Sequence, residues 1–176
     1  GTNQFRKILE ERPHLKVKYA NWGFTSTVGH PFPAYEPYAM GLRDPSKWGQ
    51  FADSIRQSRL DLYNAYAFVD SVPQLDAIWQ RYLKTKPDLT KIYDFNEEGI
   101  EDQIMGAHGL RLNVAKAIID SAHAAGLRVY THSEDRHDFE TMVRAGVDGF
   151  AHMPGYGWDG DSSTFEKYFL PDTLLY

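Results

Sequence analysis

Apolar and polar positions along this chain follow two rhythms, one with a period near 3.6 and one with a period of two. Phe5–Glu11 (FRKILEE) has helical spacing and is stopped by Pro13, and Lys16–Asn21 (KVKYAN) alternates as a strand does. Trp22–Pro45 is dense in Gly, Pro and aromatic residues, which predicts a long irregular loop of the kind that carries function. Helical periodicity returns over Trp48–Leu60 and over Val72–Leu83, where Pro73 suits a first helical turn. Asp88–Tyr93 (DLTKIY) reads as the next strand. Over Leu112–Ala125, residues Val114, Ala117, Ile118, Ser121, Ala122 and Ala125 share one helical face, with Asn113 suited to the N-cap and Gly126 to the stop. Leu127–His132 is then a strand, Phe139–Ala145 a helix ended by Gly146, and Val147–His152 a further strand.

Strands and helices that alternate in this way predict a parallel α/β layout, because parallel strands need crossover connections and helices usually supply them. Ligands in such folds gather at the carboxyl ends of the strands. Lys91, His132 and His152 all fall at or near the carboxyl ends of predicted strands. The 176 residues form one expected domain, 1–176, long enough to bury a real core.

Composition narrows the partners. A net charge of -5 supplies no basic stripe to neutralise phosphates, which argues against nucleic acid and anionic membrane surfaces and in favour of a small-molecule substrate. No apolar run reaches the length of a membrane span and the chain begins with no signal-peptide pattern, so a soluble protein is expected. With no cysteine, a metal site would have to use His, Asp, Glu or a modified Lys.

One histidine at a strand end is most often a hydrogen-bonded surface residue. Two at the same phase of neighbouring parallel strands project into a shared volume, since adjacent strands lie about 5 Å apart, and the pair His132 and His152 therefore points to a divalent metal. Lys91 as an ammonium cannot ligate a cation, and its ordinary role is a solvated or ion-paired lysine. Desolvated beside a cationic site it would lose its proton more readily and could take up carbon dioxide as a carbamate, which ligates like a carboxylate.

The segments DLTKIYDF, VAKAIIDSAHAAGLRVYTH and DFETMVRAGVDGFAH resemble the middle of the amidohydrolase superfamily, especially its imidazolonepropionase-like and prolidase-like members. The resemblance covers roughly Tyr19–Gly155. It implies parallel (β/α) units from a TIM-barrel-like metal-dependent hydrolase, a partial barrel corresponding to strands three to six. It further implies Lys91 as a carboxylated lysine bridging two ions, His132 and His152 as metal ligands, and zinc as the expected cofactor. ANWGFTSTVGHP resembles the family's third-strand segment and makes His30 a substrate-side residue, with Tyr93 a second substrate contact. The family's first-strand His-x-His pair has no counterpart here, and no aspartate after Gly155 ends an apolar run as the family's last-strand aspartate does.

Two functions are therefore carried forward. The first is hydrolysis of C–N bonds in amides, cyclic amides or dipeptides by a metal-activated water. The second is a catalytically incomplete barrel fragment that acts as a binding or assembly module through its aromatic loop (Trp22, Phe24, Phe32, Tyr35, Tyr38). A sheet cut from a barrel exposes its edges, which predicts a homo-oligomer. Asp135 and Asp138 are expected to cap the helix that follows, Asp148 to turn the chain, and His123 to be structural.

Overall fold

The computed structural model describes residues 7–9, 11–12, 14–27, 29–93, 109–133, 135–153 and 160–162. Five parallel strands form its sheet: β1 (Gly23–Thr25), β2 (Tyr66–Phe68), β3 (Thr90–Tyr93), β4 (Val129–His132) and β5 (Gly149–Phe150). Between them run α1 (Phe32–Ala39), a 3-10 helix (Pro45–Phe51), α2 (Ala52–Gln57), α3 (Val72–Lys84), α4 (Leu112–Ala124) and α5 (Arg136–Ala145). The parallel α/β class expected from the alternating rhythm is the one observed. The strand order is β2-β1-β3-β4-β5, so the connection from β2 to β3 passes over β1, and β3 pairs with the far side of β1.

The two faces of the sheet are built differently. Phe24, Ala67, Ile92 and Val129 point to one side, where they form the main core with the inner faces of α3, α4 and α5. In α3 the buried stripe is Leu75, Ile78, Trp79 and Tyr82, at the i, i+3, i+4, i+7 spacing of a helix lying on a sheet. The rings of Trp22 and Phe24 meet Tyr82 edge-on at 4.8 and 4.9 Å, geometry that aromatic quadrupoles favour. Because successive strand residues alternate, Tyr66, Gly23, Lys91, Tyr130 and Gly149 point to the opposite face as one cross-sheet row.

That second face is covered near β2 by α1. Phe32 packs edge-on against Tyr66 and Phe68. Glu36, fully buried, accepts hydrogen bonds from the Ser58 hydroxyl, the Leu60 and Asp61 amides and the Tyr66 hydroxyl. One carboxylate thus ties α1 to the 58–61 loop and to an edge strand, and its four donors stand in for the water it has lost.

Several expectations from the residue pattern are corrected. Lys16–Asn21 is not a strand: residues 15–18 are exposed, and the stretch is tied down by Tyr19 pairing with Asp88 and by the Asn21 side-chain amide donating to Thr85. Alternation without a buried face gives a strand nothing to pack on, and Asn21, at φ 64°, turns the chain before Gly23 enters the sheet. Trp22–Pro45 is not one loop, since it holds both β1 and α1. Trp22, Phe24 and Phe32 from that stretch are core residues rather than a partner surface; only Tyr35 and Tyr38 of the five are exposed. Asn113 does not cap α4, whose N-cap position is Arg111 with no side-chain cap. The buried face of α4 is Val114, Ala115, Ile118, Ile119 and Ala122, rotated from the expected one, and Ala125 lies outside. Asp135 caps α5 as expected by accepting from the Asp138 amide at 2.8 Å. His123 and the Val129 amide both donate to or bridge with the Asp148 carboxylate, at 2.8 Å each, which fixes the end of α4 to the β4–β5 edge. Of the helix expected over residues 5–11, residues 7–9 are described and helical; Pro13, Asp159 and Asp172 lie outside the described residues.

Candidate functional site

At the carboxyl end of the sheet, the face not covered by α3–α5 gathers the polar groups singled out in the sequence. Lys91 stands in mid-row on β3, and Tyr93, two residues on, sits beside His132 in register. His152 follows β5, and His30 arrives in the loop between β1 and α1. The His132 ring meets the His152 ring edge-on at 4.6 Å, with planes at 90°. His30 stacks on His132 at 4.6 Å with planes only 7° apart, and lies 5.5 Å from Tyr93. The Lys91 ammonium nitrogen is 5.2 Å from the centre of the Tyr93 ring. All five residues expected at the site are therefore brought together.

Local structure explains why. The strand order reverses between β1 and β3, so the connections leaving them go to opposite faces and leave a crevice at their carboxyl ends. The loop from β1 is held in that crevice from both sides. Thr25 donates its hydroxyl to the His30 carbonyl at 2.5 Å, while the Thr27 amide (2.8 Å) and hydroxyl both donate to Asp70 at the end of β2. Gly23 supplies room: a Cβ there would lie 2.4 Å from Cε2 of Tyr93 and 3.1 Å from Cγ of Lys91. Gly149 does the same for Tyr130, whose Cε1 would be 2.6 Å from an added Cβ. Two tyrosine rings thus lie across glycines on either side of Lys91.

Burial sets the protonation of these groups. It lowers the Lys91 amine to about 8, because burial strips the ammonium of its hydration and disfavours the charged form. His132 is pushed down to about 3, first by burial and then by the proximity of His30, Lys91 and His152, so its imidazole is neutral at any ordinary pH. Burial raises the Tyr93 phenol, and the neighbouring Tyr35, with which it shares a hydrogen bond, raises it further; Tyr93 keeps its proton.

The donor chemistry suits a divalent ion. Neutral imidazoles are good ligands, and crossing ring planes, as in His132 and His152, allow both to aim an in-plane lone pair at one point. The near-parallel planes of His30 and His132 do not. Among the described residues no group of three or more His, Cys, Asp or Glu is arranged to hold a metal ion, and Lys91 as its carbamate is the further ligand this cluster could offer.

Tyr130 and Gly23 were not singled out by the sequence, and Tyr35 was expected only as one of an aromatic loop's surface residues. Tyr35 sits in a stretch whose three prolines disguise a helix, and the value of Gly23 emerges only when the register places it beside Lys91. Comparison with models of known families, with curated proteins and with solved structures finds no match. Among the described residues no helix is long and apolar enough to cross a membrane.

Proposed function

We propose that this chain carries the active-site core of a metal-dependent hydrolase of C–N bonds, of amidohydrolase type. The observation that supports this reading is the convergence of Lys91, His132 and His152 at one rim of a parallel sheet, with the lysine amine desolvated and the imidazole of His132 neutral. His132 and His152 would hold the ion, zinc being the expected one. The neutral amine of Lys91 would add carbon dioxide, forming an N–C bond and releasing one proton, and the carbamate would complete the ligand set. When bound, a divalent ion lowers the pKa of a water molecule and stabilises negative charge on a carbonyl oxygen.

The chain's own groups have complementary tasks. Tyr93 and His30 border the substrate side, and the tyrosine rings around Lys91 limit the access of water to it. In the overall reaction water oxygen bonds to the acyl carbon and the C–N bond breaks. The nitrogen leaves as an amine with a proton from that water, and the acyl group leaves as a carboxylic acid.

Zinc content of protein prepared with zinc and bicarbonate tests the proposal, together with hydrolysis of amides and dipeptides. The expected result is near-stoichiometric zinc in the parent chain, at least tenfold weaker retention in His132→Ala and in His152→Ala, and turnover that falls with it, because losing one ligand of a two-imidazole site removes much of the affinity. Zinc retention that is equal in the parent and both variants would overturn it. Protein that binds no zinc and turns over nothing would favour the binding-module alternative.

A further inference from the structure

His30 is placed by a turn that is tied at three points. Between β1 and α1 the Gly29 amide donates to the Ser26 carbonyl at 3.1 Å, which closes the chain on itself. Thr25, fully buried at the end of β1, donates its hydroxyl to the His30 carbonyl at 2.5 Å. Asp70 grips the turn from the neighbouring strand: one carboxylate oxygen accepts from the Thr27 amide at 2.8 Å and the other from the Thr27 hydroxyl.

We infer that Thr25 and Asp70 are the positioning residues of His30, holding its ring flat against His132 at the candidate site. The inference deepens the hydrolase reading, on which it rests for the task of His30 beside a substrate; the placement of the ring stands on geometry alone.

Asp70 can serve as an anchor because the framework, and not the turn, fixes it. The Val69 amide just before it donates to the Thr25 carbonyl at 2.8 Å, and the Asp70 amide donates to the Gln74 side chain at 2.7 Å in the first turn of α3. A carboxylate that uses both oxygens on one residue sets that residue's orientation as well as its distance. Thr25 acts from inside the fold. Water does not compete for a fully buried hydroxyl, so its bond to the His30 carbonyl keeps its direction. Thr25 thus fixes the backbone of His30, and Asp70 fixes the turn that leads to it.

The product of these ties is the pose of one ring. His30 lies 4.6 Å from His132 with planes 7° apart, and 5.5 Å from Tyr93. Attraction between two rings is too soft to select a single pose, whereas directional hydrogen bonds on the backbone behind the ring can. In this pose His30 and His132 cannot both aim an in-plane lone pair at one ion, so His30 is withheld from the ion that His132 would share with His152 and stays a ring neighbour of the site.

Nuclear Overhauser contacts between the ring protons of His30 and His132, recorded on the whole chain without metal, test the inference. The contact is expected in the parent, lost in Thr25→Val and in Asp70→Ala, and restored in Thr25→Ser, which keeps the hydroxyl, and in Asp70→Asn, whose carbonyl still accepts from the Thr27 amide. The contact between the rings of His132 and His152, 4.6 Å apart, should persist in all four, which separates loss of the pose from loss of the fold. No contact in the parent, an undiminished contact in a folded Thr25→Val or Asp70→Ala, a loss that Ser and Asn do not repair, or loss of both ring contacts together would each overturn the inference. If neither Thr25→Val nor Asp70→Ala folds by circular dichroism, Thr27→Val, which removes only the hydroxyl that Asp70 accepts from, decides: its His30–His132 contact should weaken, and an unchanged one overturns the inference. Ring contacts that respond as expected in a chain that holds no zinc and hydrolyses nothing would sink the hydrolase reading and leave this one standing. Zinc retention and turnover as proposed, with the His30–His132 contact indifferent to Thr25 and Asp70, would do the reverse.

Discussion

Lys91 shows how a residue's chemistry is set by its neighbours. An exposed lysine at its ordinary value of 10.5 is almost wholly charged at pH 7; with its amine brought down to about 8 by burial, roughly a tenth is neutral at that pH, some hundreds of times more. The rate of Lys91 modification by cyanate, which attacks the neutral amine, should therefore rise with pH and level off just above 8, whereas a lysine in a short unstructured peptide keeps gaining up to about 10.5. Peptide mass spectrometry follows Lys91, and a profile that matches the free peptide would show that the amine is solvated. At this scale the sequence was informative where side chains end apolar runs in phase, as His132 and His152 do. It was silent about Gly23 and gave Tyr35 only as loop surface, because neither a phenol among prolines nor a glycine next to a tryptophan has a place at a site until the register is known.

At the scale of elements, α1 depends on Glu36. Burial alone would raise this carboxyl, but hydrogen bonds from Ser58, Tyr66 and the Asp61 and Leu60 amides outweigh it and hold the group below its ordinary 4.5. A carboxyl whose folded value is depressed contributes stability that is complete above its ordinary value and is lost as pH falls through the folded one. Glu36→Ala, which leaves four donors without their acceptor, should cost about 3 kcal/mol or more at pH 7, and Glu36→Gln about 1–3 kcal/mol. Urea unfolding midpoints should show the gap between parent and Glu36→Gln narrowing below about pH 4.5, and a gap that widens on acidification would contradict the sign. Helices α3, α4 and α5 were readable because each repeats a buried stripe over two turns or more. The strand Tyr66–Phe68 was not: three residues cannot display a period, and its partner β1 lay in a stretch whose glycines and prolines suggested loop.

For the whole molecule the sheet order carries the argument. Alternation of strands and helices predicted parallel units, and the five parallel strands agree. No local pattern could announce that β3 pairs with β1 and leaves β2 at the rim of the sheet, since that choice is made by side-chain packing between distant segments. The outer strands β2 and β5 have only three and two residues, and beyond β2 the described residues add no further strand, only a single bridge from Leu62 to Tyr66. Unpaired strand edges pair readily with another chain. A dimer or higher oligomer is expected by light scattering at micromolar concentration, and a mass of 20.2 kDa across the concentration range would exclude it.

Gly23 has a last consequence for inheritance. The spot where its Cβ would sit lies within 2.4 Å of Tyr93 and 3.1 Å of Lys91, so a single missing carbon governs where two functional groups stand. A related chain could retain every reagent at this rim, both imidazoles, the amine and the phenol, and yet, given any bulkier residue in that one place, hold them in another arrangement. Kinship in activity would then have to be judged from an empty position as much as from the reactive ones.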